Sequence, residues 1–113
     1  MFGFSGPTVP QIDADSLLTK IKSKEDFVLL DVRTPQEVEK GKIEGSVNIP
    51  VDRVAEEVEK VIPDKSKTIY VYCLSGSRST AAVDAMIKMG YKNVFSMTSG
   101  LLSWRAKNYP ETQ

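Results

Sequence analysis

A lone cysteine, Cys73, closes the apolar run Thr68-Ile69-Tyr70-Val71-Tyr72 and opens the stretch Leu74-Ser75-Gly76-Ser77-Arg78-Ser79, which leads into a helical pattern from Ser79 to Met89. Such a strand, tight loop and helix can turn successive backbone N–H groups inward, and the helix adds the positive end of its dipole. An anion is welcome there. The first anion at hand is the Cys73 thiolate, which inward amides, a helix amino end and a nearby arginine all favour. Cys73 is therefore the candidate nucleophile, and residues Leu74, Ser75, Gly76, Ser77, Arg78 and Ser79 are the candidate loop that stabilises what it binds. The fixed charge of Arg78 has three uses open to it: the thiolate, a bound oxyanion, or the loop's own structure.

Composition narrows the chemistry. The 113 residues contain no histidine, which removes Cys–His and Ser–His–Asp catalysis and every His-ligated metal site, so a nucleophile here depends on its loop for activation. Fifteen basic and fifteen acidic residues cancel, leaving no global field for nucleic acid or an anionic membrane. A single cysteine forms no internal disulfide and suits a reducing compartment. The first residues lack the basic region and long apolar stretch of a signal peptide, and no later run is long enough to span a bilayer. The expected location is cytoplasmic.

The elements that must position Cys73 follow from the pattern. Residues 1–7, rich in Gly and Phe, read as an irregular tail, and residues 8–113 as one domain able to bury roughly two-thirds of its unfolded surface. Thr8 to Ile12 reads as an edge strand, with Asp13 capping a helix whose Leu17, Leu18 and Ile21 share a face. Phe27 to Val32 is a continuous apolar run of the kind found in a strand covered on both faces. Thr34-Pro35-Gln36-Glu37 is a capping box with Pro at the first helical position. Asp31 and Arg33, at the carboxyl end of the preceding strand, are site-proximal candidates, with an ion pair holding that corner as the simpler reading. Ser46 to Pro50 is a short strand, and Asp52 to Ile62 an amphipathic helix packing through Val54, Val58, Val61 and Ile62. After Cys73, the helix Ser79–Met89 packs through Ala81, Ala82, Ala85, Met86 and Met89, and Gly90 ends it. Asn93 to Met97 is the last strand, and Gly100 begins a helix whose Trp104 reads as a core anchor. About five strands alternating with helices predict an α/β fold with a mostly parallel central sheet covered on both faces, Cys73 lying in a shallow crevice at the strands' carboxyl ends.

The loop Cys-Leu-Ser-Gly-Ser-Arg-Ser resembles the active-site loop of single-domain rhodanese-like sulfurtransferases. Two more stretches are similar to that family: Leu30 to Glu37 continuing through Gly41 to Pro50, and Gly100-Leu101-Leu102-Ser103-Trp104 with Tyr109-Pro110. The resemblance covers about Pro10 to Pro110. It implies a three-layer rhodanese-like fold and transfer of a sulfane sulfur, through a Cys73 persulfide, from thiosulfate or a persulfide to cyanide, a thiol or a protein acceptor, with no metal or organic cofactor. Lys42 stands where the family usually has His, Ser99 where it usually has Gly, and Leu74 where Arg is common. The last change removes a charge near the sulfur and argues for a donor less anionic than thiosulfate.

Two other functions compete. A cysteine phosphatase or arsenate reductase also uses a strand, loop and helix, but Cys73 and Arg78 enclose one residue fewer than the Cys-x5-Arg pattern of those enzymes. A binding or sulfur-relay module would keep the fold and depend on a specific protein donor or acceptor, with weak activity toward small molecules.

Overall fold

The computed structural model describes residues 8–113, so the reading of residues 1–7 as a tail lies outside the described residues. The chain runs β1 (Gln11–Ile12), α1 (Ala14–Lys22), β2 (Val28–Asp31), α2 (Pro35–Glu39), β3 (Val47–Asn48), a 3-10 turn (Val51–Arg53), α3 (Val54–Val61), β4 (Thr68–Tyr72), α4 (Ser77–Lys88), β5 (Asn93–Met97) and α5 (Gly100–Ala106). Among the described residues five strands form one sheet in the order β1-β5-β4-β2-β3, and every paired neighbour is parallel. β4, which delivers Cys73, is the middle strand.

Alternation along the strands divides the core. Ile69 and Val71 of β4, with Leu30 of β2 and Val94 of β5, pack on Val54 and Val58 of α3 and on Ala82, Val83 and Met86 of α4. Tyr70 and Tyr72, with Leu29 and Met97, face the other way onto Leu17 of α1 and Leu101 and Trp104 of α5. Each such aliphatic or aromatic side chain contributes about 1.5–3 kcal/mol by leaving water. The result is the expected three layers of helix, sheet and helix. Trp104 is a core anchor: it is buried, and its indole N–H donates to the Pro110 carbonyl at 2.8 Å.

The caps form as the side chains dictate. Asp13 accepts from the Ser16 N–H at 2.8 Å at the start of α1. Thr34 and Glu37 exchange both bonds of a capping box at the start of α2, the Glu37 carboxylate accepting from the Thr34 N–H at 3.0 Å.

Two packing expectations need correction. Val61 is 46% exposed, because the chain leaves the helix at Ile62 (φ −129°, ψ 78°) and Ile62 turns inward in its place. Ala81 is exposed because the buried stripe of α4 runs through Ser79, Ala82, Val83 and Met86, and Ala81 lies on the opposite face of the helix. Among the described residues no helix is long and apolar enough to cross a membrane.

Candidate active site

Cys73 follows the last residue of β4 with its side chain fully buried. Its Sγ occupies an unusual capping position. The N-cap of α4 is Gly76, in the left-handed region (φ 106°), which has no side chain to satisfy the helix's orphan N–H groups. The Cys73 sulfur takes over that task. The third helical residue, Ser79, points its N–H at Sγ from 3.4 Å, and the N–H of Gly76 does so from 3.1 Å. Of the candidate loop Leu74–Ser79, two residues, Gly76 and Ser79, bring a backbone amide to the sulfur.

The sulfur also contacts the Ser79 hydroxyl at 3.7 Å. That hydroxyl is 2.7 Å from the Ser96 hydroxyl and donates to the Gly76 carbonyl at 3.1 Å, so a buried pair of hydroxyls supports the loop from beneath. Ser96 escaped the sequence reading. Its signal was present: it shares β5's core face with Val94, where period-two alternation calls for an apolar residue.

A second clasp comes from the end of the chain. Leu101 and Leu102, in the first turn of α5, donate N–H bonds to the carbonyls of Cys73 at 2.9 Å and of Leu74 at 3.0 Å. Gly100 is required for this approach, since a Cβ there would lie 2.5 Å from both carbonyl oxygens. With both carbonyls bonded to α5, the loop's first peptides are anchored to that helix. Ser99 precedes it in the left-handed region (φ 58°), the conformation that suits the glycine usual at this position.

The two arginines have different tasks. Arg78 forms a bidentate pair with Glu37 (2.7 and 3.0 Å), each side chain being 32% exposed. This pair, reinforced by the Thr34 N–H, holds the Glu37 carboxyl down at about 2, Arg78 being the largest cause. Arg33 binds Asp31 through Nε and Nη2, the shortest contact being 2.7 Å, and this pair is almost wholly buried at 2% and 0% exposure. The Arg33 guanidinium also donates to the Gly41 carbonyl at 2.7 Å and more weakly to the Glu37 carbonyl at 3.4 Å. Asp31 and Arg33 therefore join β2 to α2 and the segment after it, and Glu37 links that corner to the loop. The sequence marks Glu37 only as a cap, because nothing local indicates a partner as distant as Arg78.

Leu74 is half-buried against the α1/α5 side of the core, while Ser75 and Ser77 are exposed at the rim. Beside the loop lies a cleft of about 150 Å³ whose lining includes Ser75, Gly76, Ser96, Thr98 and Ser99. No residue lining it is charged. No cluster of three or more His, Cys, Asp or Glu suited to a metal occurs among the described residues.

A parallel α/β sheet presenting a cysteine loop at the carboxyl end of its middle strand is one class of protein among several, and the comparisons make it particular. The rhodanese-like domain family model matches residues 13–107, so the chain belongs to the rhodanese-like domain family. A sulfurtransferase of Allochromatium vinosum is 29% identical over 90% of this chain and 94% of its own length. The putative sulfurtransferase YtwF of Bacillus subtilis is 30% identical over 91% of this chain and 97% of its own. A putative mitochondrial thiosulfate sulfurtransferase of Schizosaccharomyces pombe is 41% identical, but the match spans only 64% of that protein. Among solved structures, a rhodanese-related protein of Thermoplasma volcanium superposes with a TM-score of 0.82 at 34% identity, covering 92% of this chain and 98% of that one.

Proposed function

We propose that the protein is a sulfurtransferase in which Cys73 carries the sulfur. The Cys73 thiolate attacks the outer sulfur of a donor, forming a Cys73 S–S bond, while the donor's own S–S bond breaks and its electron pair leaves on the departing group. With thiosulfate the departing group is sulfite, and with a persulfide it is a thiolate. In the second half-reaction an acceptor thiolate or cyanide attacks the outer sulfur of the Cys73 persulfide, and the electron pair of the breaking bond restores the Cys73 thiolate. No redox partner is needed.

The observation that carries this reading is the pair of peptide N–H groups, from Gly76 and Ser79, aimed at Sγ. Fixed donors of this kind stabilise negative charge without reorganising, and losing one from an oxyanion hole costs about 3 kcal/mol. They act on the thiolate and, after a small shift, on the persulfide's outer sulfur.

The test is intact mass after incubation with thiosulfate or a persulfide, for wild type and Cys73→Ser. A gain of about 32 Da that is lost on adding cyanide or a thiol, and absent in the variant, is expected for a cysteine persulfide. No gain with any donor would overturn the reading. The full burial of Cys73 favours one second reading, a sulfur relay in which a partner protein opens the loop. In that case a protein donor loads the cysteine much faster than either small molecule does.

A further inference from the structure

We infer that Glu37 is a specificity-determining residue, which withholds the Arg78 charge from the sulfur donor and so biases the site against dianionic donors. The inference rests on the sulfur-transfer reading and adds the donor class.

A dianion such as thiosulfate needs a cation where its sulfonate end sits. Arg78 is the only cation within the loop Cys73–Ser79. Both its Nη groups are occupied by the Glu37 carboxylate, at 2.7 and 3.0 Å. Glu37 is itself held from behind, by the Thr34 N–H at 3.0 Å and the Thr34 hydroxyl at 3.1 Å, so it is fixed for Arg78 rather than swinging freely. The carboxylate stays ionised throughout the neutral range, since Arg78 lowers its pKa to about 2. Charge at the rim therefore cancels.

The cleft beside the loop agrees with this. Its hydroxyls and amides can hydrogen-bond a polar group but supply no formal charge, and Arg78 does not line it. Leu74, half-buried against the α1/α5 side of the core, adds no charge to the loop. The same surroundings suit a donor carrying at most one charge, of the form R–S–SH. Its transfer is balanced as before: the Cys73 sulfur bonds to the outer sulfur, and the pair from the broken S–S bond leaves on R–S⁻.

The experiment measures initial rates of Cys73 persulfide formation with thiosulfate and with 2-hydroxyethyl persulfide, read as the ratio of the two within each variant. Wild type is expected to load faster from the persulfide, with a thiosulfate rate that changes little with added salt. Glu37→Gln keeps the size of the side chain and its acceptor for Thr34 but frees the Arg78 charge, so the thiosulfate-to-persulfide ratio rises about tenfold and falls again as salt screens the new cation. Glu37→Gln combined with Arg78→Gln returns the ratio to the wild-type value. A ratio that stays put or falls in Glu37→Gln overturns the inference while leaving sulfur transfer intact. If that variant does not fold, wild type alone decides: a thiosulfate rate that drops steeply with salt shows a cation already acting on the donor and overturns the inference. Loading by neither donor overturns the sulfur-transfer reading itself, a distinguishable result.

Discussion

Two arginine–carboxylate forks lie within one stretch of this fold, joined through α2, and burial separates their roles. Arg33–Asp31 is sealed between β2 and the segment around Gly41, whereas Arg78–Glu37 stands about one-third exposed at the loop's rim. In the first, the charges are removed from water and neutralise each other, with backbone carbonyls taking the remaining guanidinium N–H groups, so the pair fixes a corner of the fold. In the second, water shares the work, so the pair adds little to stability and is free to govern the electrostatics of the site. The same chemical unit serves structure at one depth and selectivity at another.

The largest expected effect tests the buried member. Asp31→Ala leaves the Arg33 charge buried without its partner and is expected to cost about 3–5 kcal/mol in denaturant unfolding. Arg78→Ala is expected to cost about 1 kcal/mol or less. Equal costs for the two would break the contrast.

Next comes the clasp that both forks leave to backbone groups. Gly100→Ala places a methyl 2.5 Å from the carbonyl oxygens of Cys73 and Leu74, so the start of α5 must move away. A loss of about 2 kcal/mol is expected, together with slower sulfur loading. Full stability and loading in that variant would show that the loop holds its shape without α5.

Acid sharpens the contrast further. The folded Glu37 carboxyl, held at about 2 against an ordinary 4.5, contributes stability that is present above pH 4.5 and is lost as the pH falls from there toward 2. After discounting for solvent screening, the expected loss is about 1 kcal/mol, and Glu37→Gln should lack it. Urea midpoints measured across that window check the sign. The smallest effect is at Ser99: replacement by Gly relieves the left-handed backbone but frees the unfolded chain, for a net gain under about 1 kcal/mol in thermal unfolding.

What the sequence disclosed follows a physical division. Local signals were readable: the Thr34–Glu37 capping box, the Asp13 cap, the apolar stripes of α1 and α3, and the strand–loop–helix around Cys73 depend on residues within a turn or two of one another. The three-layer α/β arrangement and the parallel sheet were readable too, because alternating strands and helices admit few packings. Hidden from that reading were contacts closed only by the tertiary fold. The partnership of Arg78 with Glu37, the Ser96 hydroxyl under the loop and the donation from Leu101 and Leu102 to the Cys73 and Leu74 carbonyls all join distant segments. Val61 and Ala81 differ for smaller reasons: Val61 ends α3, where the backbone turns at Ile62, and Ala81 is one of several alanines in α4, whose small side chains mark no face clearly.

The clasp from α5 also sets an order of events during synthesis. The ribosome releases β4 and Cys73 well before Gly100, Leu101 and Leu102, so for an interval the loop's carbonyls lack their donors and the sulfur's surroundings are incomplete. β5, which neighbours β4 on one side, is also late, and it joins the early strand β1 to the sheet. The surroundings of Cys73 are thus completed by a helix that leaves the ribosome after the loop does, and a nascent chain halted before Gly100 is expected to hold its thiol as an ordinary, poorly organised cysteine.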